Sequence, residues 1–269
     1  MTAAFIYWDA APELIRLGPI TVRWYGLLFA LGFLLGYLIF QRIFRSEGVP
    51  ENDLGTLLLY ILGGAMIGAR LGHCFFYEPG YYLSRPGEII LIWRGGLASH
   101  GGAVGILIAL YFYTRKRPDQ SYLWLLDRLA IAAALAGALI RVGNLFNSEI
   151  IGTESNLPWA FVFARTGVTP LVPRHPAMLY EAAAYLLIFF LLIFIYRRRD
   201  GRVPPGELIG LFLLTVFSAR FLIEFVKVPQ ASYPLPGPLR VGQLLSLPAI
   251  IAGALLLANS RRNRGRRRR

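Results

Sequence analysis

Charge, cysteine and histidine are all scarce in this chain of 269 residues. Asp, Glu, Lys and Arg make up 16% of it and apolar types 56%, with a mean hydropathy of +0.52. Soluble domains carry about 25% charged and about 45–50% apolar residues. A soluble enzyme, a disordered tail protein and a disulfide scaffold are excluded by that balance. The one cysteine, Cys74, forbids a disulfide within the chain and a cysteine-based metal site. It lies in an apolar stretch and reads as a buried structural thiol rather than a nucleophile. Three scattered histidines without carboxylate spacing make no metal cluster, so no metal is expected. No Gly-rich loop follows a strand, so no nucleotide cofactor is expected, and none of any other kind. The N-terminal stretch carries Asp9, Glu13 and Arg16 and lacks a basic region followed by a cleavage site. No removable signal peptide is expected.

What the chain does have is long apolar runs. Seven membrane helices of roughly 20 residues would occupy about 140 residues, and seven runs of that length are present, at about 20–41, 54–76, 95–114, 121–143, 177–196, 206–226 and 240–258. The expected fold is an all-α polytopic membrane protein with seven transmembrane helices, forming one membrane-embedded domain over 1–269. The net charge of +13 does not signal nucleic acid, because the arginines sit beside these runs. Seven lie in the last nine residues, Arg261 to Arg269, and four at Arg197, Arg198, Arg199 and Arg202. Basic blocks so placed face an anionic leaflet.

With the N-terminus outside, the inner segments hold those eleven together with Arg42, Arg45, Arg115, Lys116 and Arg117. The outer segments hold Arg16, Arg85, Arg165, Arg174, Lys227 and Arg240. Sixteen against six predicts N-terminus outside and C-terminus cytoplasmic. The largest outer segment is then 144–176, and 260–269 is a basic cytoplasmic tail. No fixed-period repeat is visible.

An ionised side chain in hydrocarbon costs about 2.5–3.5 kcal/mol on insertion scales, so each needs a partner or an aqueous cavity. Arg70 and His73 lie in the second run, His100 in the third, Asp127 and Arg128 in the fourth, Arg141 and Asn144 at its outer end, and Arg220 with Glu224 in the sixth. Asp127 and Arg128 read as a structural pair, whereas Arg70 and His73 are open between structure and site. Arg220 and Glu224 share a helix face at i, i+4. The outer group has more arginines than nearby acids absorb. Guanidinium forks match phosphate oxygens, which points to a phospholipid headgroup.

Three stretches stand out from ordinary span. Gly95-Gly96-Leu97-Ala98-Ser99-His100-Gly101-Gly102 flanks a histidine with glycine pairs, and helix packing through small residues does not by itself ask for the histidine. His175-Pro176 opens the fifth run and reads first as a helix start, followed by Tyr180 and Glu181. Arg141-Val142-Gly143-Asn144-Leu145-Phe146-Asn147-Ser148-Glu149-Ile150-Ile151-Gly152 is too rich in Arg, Asn and Glu for its surroundings. It reads as a site in which Gly143 and Asn144 end the helix and Glu149 neutralises and orients Arg141.

At these residues the chain closely resembles the prolipoprotein diacylglyceryl transferase family. The family signature Gly-Arg-x-Gly-Asn-Phe-x-Asn-x-Glu-x-x-Gly is matched by Arg141, Gly143, Asn144, Asn147, Glu149 and Gly152, with Ile140 and Leu145 departing from it. The glycine-flanked His100, the segment His175-Pro176-Ala177-Met178-Leu179-Tyr180-Glu181 and Arg220-Phe221-Leu222-Ile223-Glu224-Phe225 follow in the family's order. Met178 stands where the family has Gln. The likeness runs from Arg23-Trp24-Tyr25-Gly26 to Gly242-Gln243.

The resemblance implies an enzyme of the bacterial cytoplasmic (inner) membrane whose site faces the outer, periplasmic side. It would move the sn-1,2-diacylglyceryl group of phosphatidylglycerol to the lipobox cysteine of a prolipoprotein signal peptide, forming a thioether and releasing glycerol 1-phosphate, the first step of lipoprotein modification. Phosphatidylglycerol and the prolipoprotein are the implied partners, with no nucleic acid. Arg141 and Arg220 would clamp the departing phosphate, with Glu149 and Glu224 holding the guanidiniums and Asn144 donating to a headgroup oxygen. Tyr25 would bond the phosphate or a glycerol hydroxyl, and Asn147, Gly152, Tyr180 and Glu181 would complete the substrate site. His100 is either the base that takes the thiol proton or a hydrogen-bond partner of the headgroup. Two other readings of the intramembrane charges are an anion transporter and a lipid-binding protein without the reaction. The absence of paired halves argues against the first, and the complete His, Arg, Asn and Glu set against the second.

Overall fold

The computed structural model describes residues 5–167, 169–229 and 239–266; the end of the arginine tail, 267–269, lies outside the described residues. Backbone in an apolar surrounding must satisfy its own N–H and C=O groups, which makes helix the outcome of each apolar run. Three short strands, β1 (Ile6–Trp8), β2 (Glu13–Leu17) and β3 (Ile20–Arg23), precede α1 (Trp24–Glu47). Then come α2 (Asn52–Phe76), the short α3 (Pro79–Ser84), two 3₁₀ turns and α4 (Ser99–Arg115). After α5 (Tyr122–Phe146) a loop carries β4 (Phe161–Phe163), followed by α6 (Ala177–Arg198), α7 (Glu207–Ile223) with a 3₁₀ turn Glu224–Val226, and α8 (Val241–Arg266).

Each predicted apolar run overlaps one helix. Six of the helices, α1, α2, α5, α6, α7 with its 3₁₀ turn, and α8, are long and apolar enough to cross a membrane. The seventh, α4, has 17 residues and is shorter than its run. Gly95 and Gly96 adopt φ of +86° and +74°, a conformation closed to helix, so 95–98 enters as irregular chain. Two small two-stranded sheets accompany the helices. β1 pairs parallel with β4, Ile6 opposite Phe161 through Trp8 opposite Phe163, and β2 pairs antiparallel with β3. Residues 20–23 are therefore strand, not the start of the first span. α5 continues through Gly143 and Asn144, which were expected to end it, because Trp8 donates its indole N–H to the Leu145 carbonyl (3.1 Å) and Trp24 stacks on Phe146 at 4.7 Å.

The chain divides into two compact units. One joins the chain up to Phe40 to that from Leu126 onward, and the other is Gln41–Leu125. In the second unit α2 and α4 meet through glycines at four-residue spacing, Gly64, Gly68 and Gly72 against Gly101 and Gly105. A Cβ on Gly72 would lie 2.8 Å from the Gly101 Cα, and one on Gly105 the same distance from the Gly68 Cα. Small residues one turn apart let backbones approach closely. The same unit settles Arg70 as structural. Its guanidinium donates to the carbonyls of Glu88 (2.6 Å), Ile89 (2.8 Å), Gly95 (2.5 Å) and Gly96 (3.3 Å), fixing the segment that leads into α4. His73 stacks on Tyr77 at 5.7 Å. Outside the helices, hydrogen bonds from Arg45 (2.5 Å) and Gln41 (3.1 Å) hold the Glu51 carboxyl below the usual range.

In the first unit α1 packs on α5, with Gly32 set so that a Cβ would lie 3.2 Å from the Ala136 Cβ. Asp127 on α5 accepts the backbone N–H groups of Gly206 (2.8 Å) and Ile209 (2.9 Å). It thus caps the start of α7 from another helix and supplies acceptors for N–H groups that have none within α7. Arg128 donates to the Gly201 carbonyl at 3.0 Å and lies over the Tyr196 ring. Both residues hold the α6–α7 turn, as a structural reading requires.

Candidate active site

The first unit gathers most of the candidate residues around the α5 end, the first turns of α6 and the end of α7. The chain leaves α5 through a bend in which Ser148 and Ile150 take φ of +52° and +59°. A β-branched residue rarely adopts that conformation, and such strain is concentrated at functional sites. The bend folds Glu149 back so that its N–H donates to the Asn144 carbonyl (2.9 Å). Its carboxylate then accepts from Asn144 Nδ2 (3.0 Å) and Asn147 Nδ2 (3.1 Å). Asn144 Oδ1 in turn accepts from Arg141 Nη1 (3.1 Å). Glu149 therefore reaches Arg141 through Asn144 rather than by the direct pairing expected. Tyr25, in the first turn of α1, crosses α5 where Gly143 leaves room: a Cβ there would sit 3.0 Å from the tyrosine ring.

Beyond the bend, three segments cross as a small ladder. Gly152 donates to the His175 carbonyl (2.8 Å), His175 to that of Thr153 (3.0 Å), Thr153 to that of Val226 (2.8 Å) and Val228 to that of Ile151 (3.1 Å). A Cβ on Gly152 would meet the carbonyls of His175 and Val226 at 2.6 Å, so only glycine fits between the neighbouring strands. The ladder sets Gly152 opposite Lys227. Beneath it Leu145, Phe161, Phe163 and Met178 form an apolar core against Trp8, Ile151 and Leu179. Tyr180 Oη accepts from the Trp159 indole (2.9 Å) and lies 3.2 Å from His175 Nδ1.

Glu181 is the centre of the charge cluster. Its side chain is fully buried, 2.7 Å from Arg141 Nε, 2.7 Å from Lys227 Nζ and 3.8 Å from Arg220 Nη1. Among the described residues the carboxylate within 4 Å of Arg220 is Glu181 rather than the expected Glu224. Glu224 lies in the 3₁₀ turn, and its carboxylate pairs with Lys227 at 3.4 Å. Gly242 lies against it, a Cβ there being 2.5 Å from Glu224 Oε1. Arg220 donates to the Tyr185 hydroxyl at 3.4 Å. Arg240 donates to the carbonyls of Glu224 (2.5 Å) and Lys227.

Four cations, Arg141, Arg220, Lys227 and Arg240, thus accompany three carboxylates, Glu149, Glu181 and Glu224. Arg220 is only 25% exposed, yet its contacts with the described residues are long ones, so its planar fork is left open for an anion. That arrangement can bind a phosphate bidentately and stabilise charge that develops on it.

His100 belongs to the other unit. It lies exposed in the first turn of α4, where Ala98 N–H donates to the Ala69 carbonyl (2.9 Å). Lys227 and Arg240, counted from sequence only as loop charges, and Tyr185 were missed. The sequence signals available were weak: Tyr185 falls one turn after Glu181, and Lys227 three residues after Glu224. Among the described residues no group of three or more His, Cys, Asp or Glu side chains could hold a metal.

Residues 12–259 match the model of a family described as prolipoprotein diacylglyceryl transferase. A protein of Chloroherpeton thalassium named phosphatidylglycerol–prolipoprotein diacylglyceryl transferase is 54% identical over 259 residues, covering 96% of each chain. Proteins of the same name from Tolumonas auensis and Porphyromonas gingivalis are 51% and 43% identical, over 97% of this chain and 100% and 96% of theirs.

Proposed function

The chain belongs to the prolipoprotein diacylglyceryl transferase family, and from that premise we propose that it transfers the sn-1,2-diacylglyceryl group of phosphatidylglycerol to the lipobox cysteine of a prolipoprotein signal peptide. The observation that carries the chemistry is the buried cluster in which Glu181 holds Arg141 while Arg220 keeps an open fork.

The cysteine sulfur attacks the glyceryl carbon that bears the phosphate. A C–S bond forms, the C–O bond breaks, and glycerol 1-phosphate leaves. Arg141 and Arg220 take the phosphate oxygens and stabilise the charge that grows on them. Glu181 fixes the Arg141 fork from one edge, and Asn144 fixes it from another while carrying Glu149. Asn147 completes the Glu149 contacts, and Tyr25, beside Gly143, offers a hydroxyl to the headgroup. Tyr180 positions His175, and Gly152 and Glu224 hold the ladder and Lys227. A free thiol has a pKa of about 8.5, so its proton needs an acceptor; His100 is either that base or a hydrogen-bond partner of the headgroup.

In this reading the chain is one membrane-embedded catalytic domain of the cytoplasmic membrane with seven crossings, N-terminus outside and C-terminus inside. α4 is the seventh crossing. At about 1.5 Å per residue it spans about 25 Å, short of a hydrocarbon core of about 30 Å, and the irregular chain at 95–98 supplies the remainder. The arginine distribution supports the orientation, with the site toward the outer side.

The test is the purified protein in detergent with phosphatidylglycerol and a lipobox peptide, read by mass spectrometry beside a Cys→Ser peptide. A diacylglyceryl mass on the Cys peptide alone, with glycerol phosphate released, is expected. No adduct from folded, lipid-supplied protein refutes the transferase reading; flux of an anion across liposomes without chemical change would replace it with transport.

A further inference from the structure

Lys227 and Arg220 address the same oxygen of Glu181. Lys227 Nζ lies 2.7 Å from Oε1, and Arg220 Nη1 lies 3.8 Å from it. The lysine wins because its backbone is fixed independently of the cluster. The ladder sets it opposite Gly152, Arg240 holds its carbonyl, and Glu224 holds its ammonium from the other side. Its side chain is 4% exposed and that of Glu181 fully buried.

A buried carboxylate oxygen that loses its donor takes the nearest replacement, because leaving it unpaired in low dielectric is costly. Here the nearest replacement is Arg220, for which a movement of about 1 Å would close a normal charge-assisted hydrogen bond. The Arg220 fork would then be turned onto Glu181.

The geometry points to Lys227 as a positioning residue that occupies Glu181 Oε1 and so keeps the Arg220 guanidinium free for the lipid phosphate. The inference rests on the phosphate reading of Arg220 given above. It assigns Lys227 no contact with substrate and no part in the proton transfer. Arg141 is unaffected by this competition, since it faces the other oxygen, Oε2. The consequence is specific: loss of Lys227 should weaken lipid binding through Arg220 and leave the lipobox peptide's own KM unchanged.

The experiment measures phosphatidylglycerol binding to protein in detergent without peptide, by thermal shift against lipid concentration, and separately the steady-state KM for lipid and for peptide. Lys227→Met should weaken lipid binding and raise the lipid KM by about tenfold or more, with the peptide KM within about twofold of wild type. Lys227→Arg should recover most of the lipid affinity. Glu181→Gln/Lys227→Met should bind lipid more tightly than Lys227→Met alone, because a neutral amide no longer captures Arg220.

Should Lys227→Met fail to purify folded, Lys227→Gln carries the same comparison with a smaller desolvation cost. A folded Lys227→Met or Lys227→Gln protein with wild-type lipid affinity overturns the inference, as does a double variant weaker than Lys227→Met. Failure of the wild type to transfer, with lipid binding still lost in Lys227→Met, would refute the transferase reading and leave this one standing.

Discussion

Replacing Arg141 with lysine keeps the charge and removes the fork, and the structure gives the size of the effect. A guanidinium has five N–H donors in one plane. In the protein Nε faces Glu181 Oε2 at 2.7 Å, and one Nη1 hydrogen goes to Asn144 Oδ1 at 3.1 Å. Three donors remain, and they project as a pair of adjacent nitrogens suited to two phosphate oxygens. A lysine ammonium has three donors on one atom. Holding Glu181 and Asn144 as Arg141 does would leave it one for the phosphate; turning to the phosphate would break the close ion pair with the fully buried Glu181 Oε2, which accepts no hydrogen bond from the described residues. Either way one or two charge-assisted hydrogen bonds are lost, at about 1.5–3 kcal/mol each. The expected fall in kcat/KM is about two orders of magnitude or more. The assay is the initial rate of diacylglyceryl-peptide formation by mass spectrometry, with lipid and peptide varied in turn and the fold checked by thermal unfolding. A well-folded Arg141→Lys protein within about threefold of wild-type kcat/KM would refute the clamp.

Three further outcomes follow from contacts away from the phosphate. Asp127→Ala removes the acceptor of two buried N–H groups at the start of α7, so stability should fall by about 2–4 kcal/mol in denaturant or thermal unfolding in detergent. Asp127→Asn, which keeps one carbonyl oxygen, should lose less, and an Asp127→Ala protein as stable as wild type would show that the cap is not needed. Gly68→Val places methyl groups where the Gly105 backbone lies and should abolish the α2–α4 packing, seen as loss of monodisperse protein on size exclusion. Normal yield and melting temperature would count against that crossing. Arg128→Lys retains a donor for the Gly201 carbonyl and a cation near Tyr196, so transfer activity should stay close to wild type; a folded but inactive variant would give Arg128 a role beyond the turn.

Apolar run length placed the helices, six of which are long and apolar enough to cross a membrane, because an apolar segment without water must hydrogen-bond to itself whatever its neighbours do. The sequence also located Arg141, Asn144, Asn147, Glu149 and Gly152 as one polar constellation, since local spacing carries that information. Which carboxylate serves which arginine was not local. Arg220 and Glu224 stand at helical spacing, but α7 gives way to a 3₁₀ turn after Ile223, and Glu224 goes to Lys227 while Glu181, on another helix, takes both arginines. Lys227 looked like a loop charge because its burial depends on a ladder between segments about seventy residues apart. Arg70 was equally open from sequence, and only the return of 86–96 over α2 supplied the four carbonyls that make it structural. Composition and periodicity decide what a segment becomes by itself; the partner of a buried charge is decided by whichever backbone the fold brings within three ångströms of it.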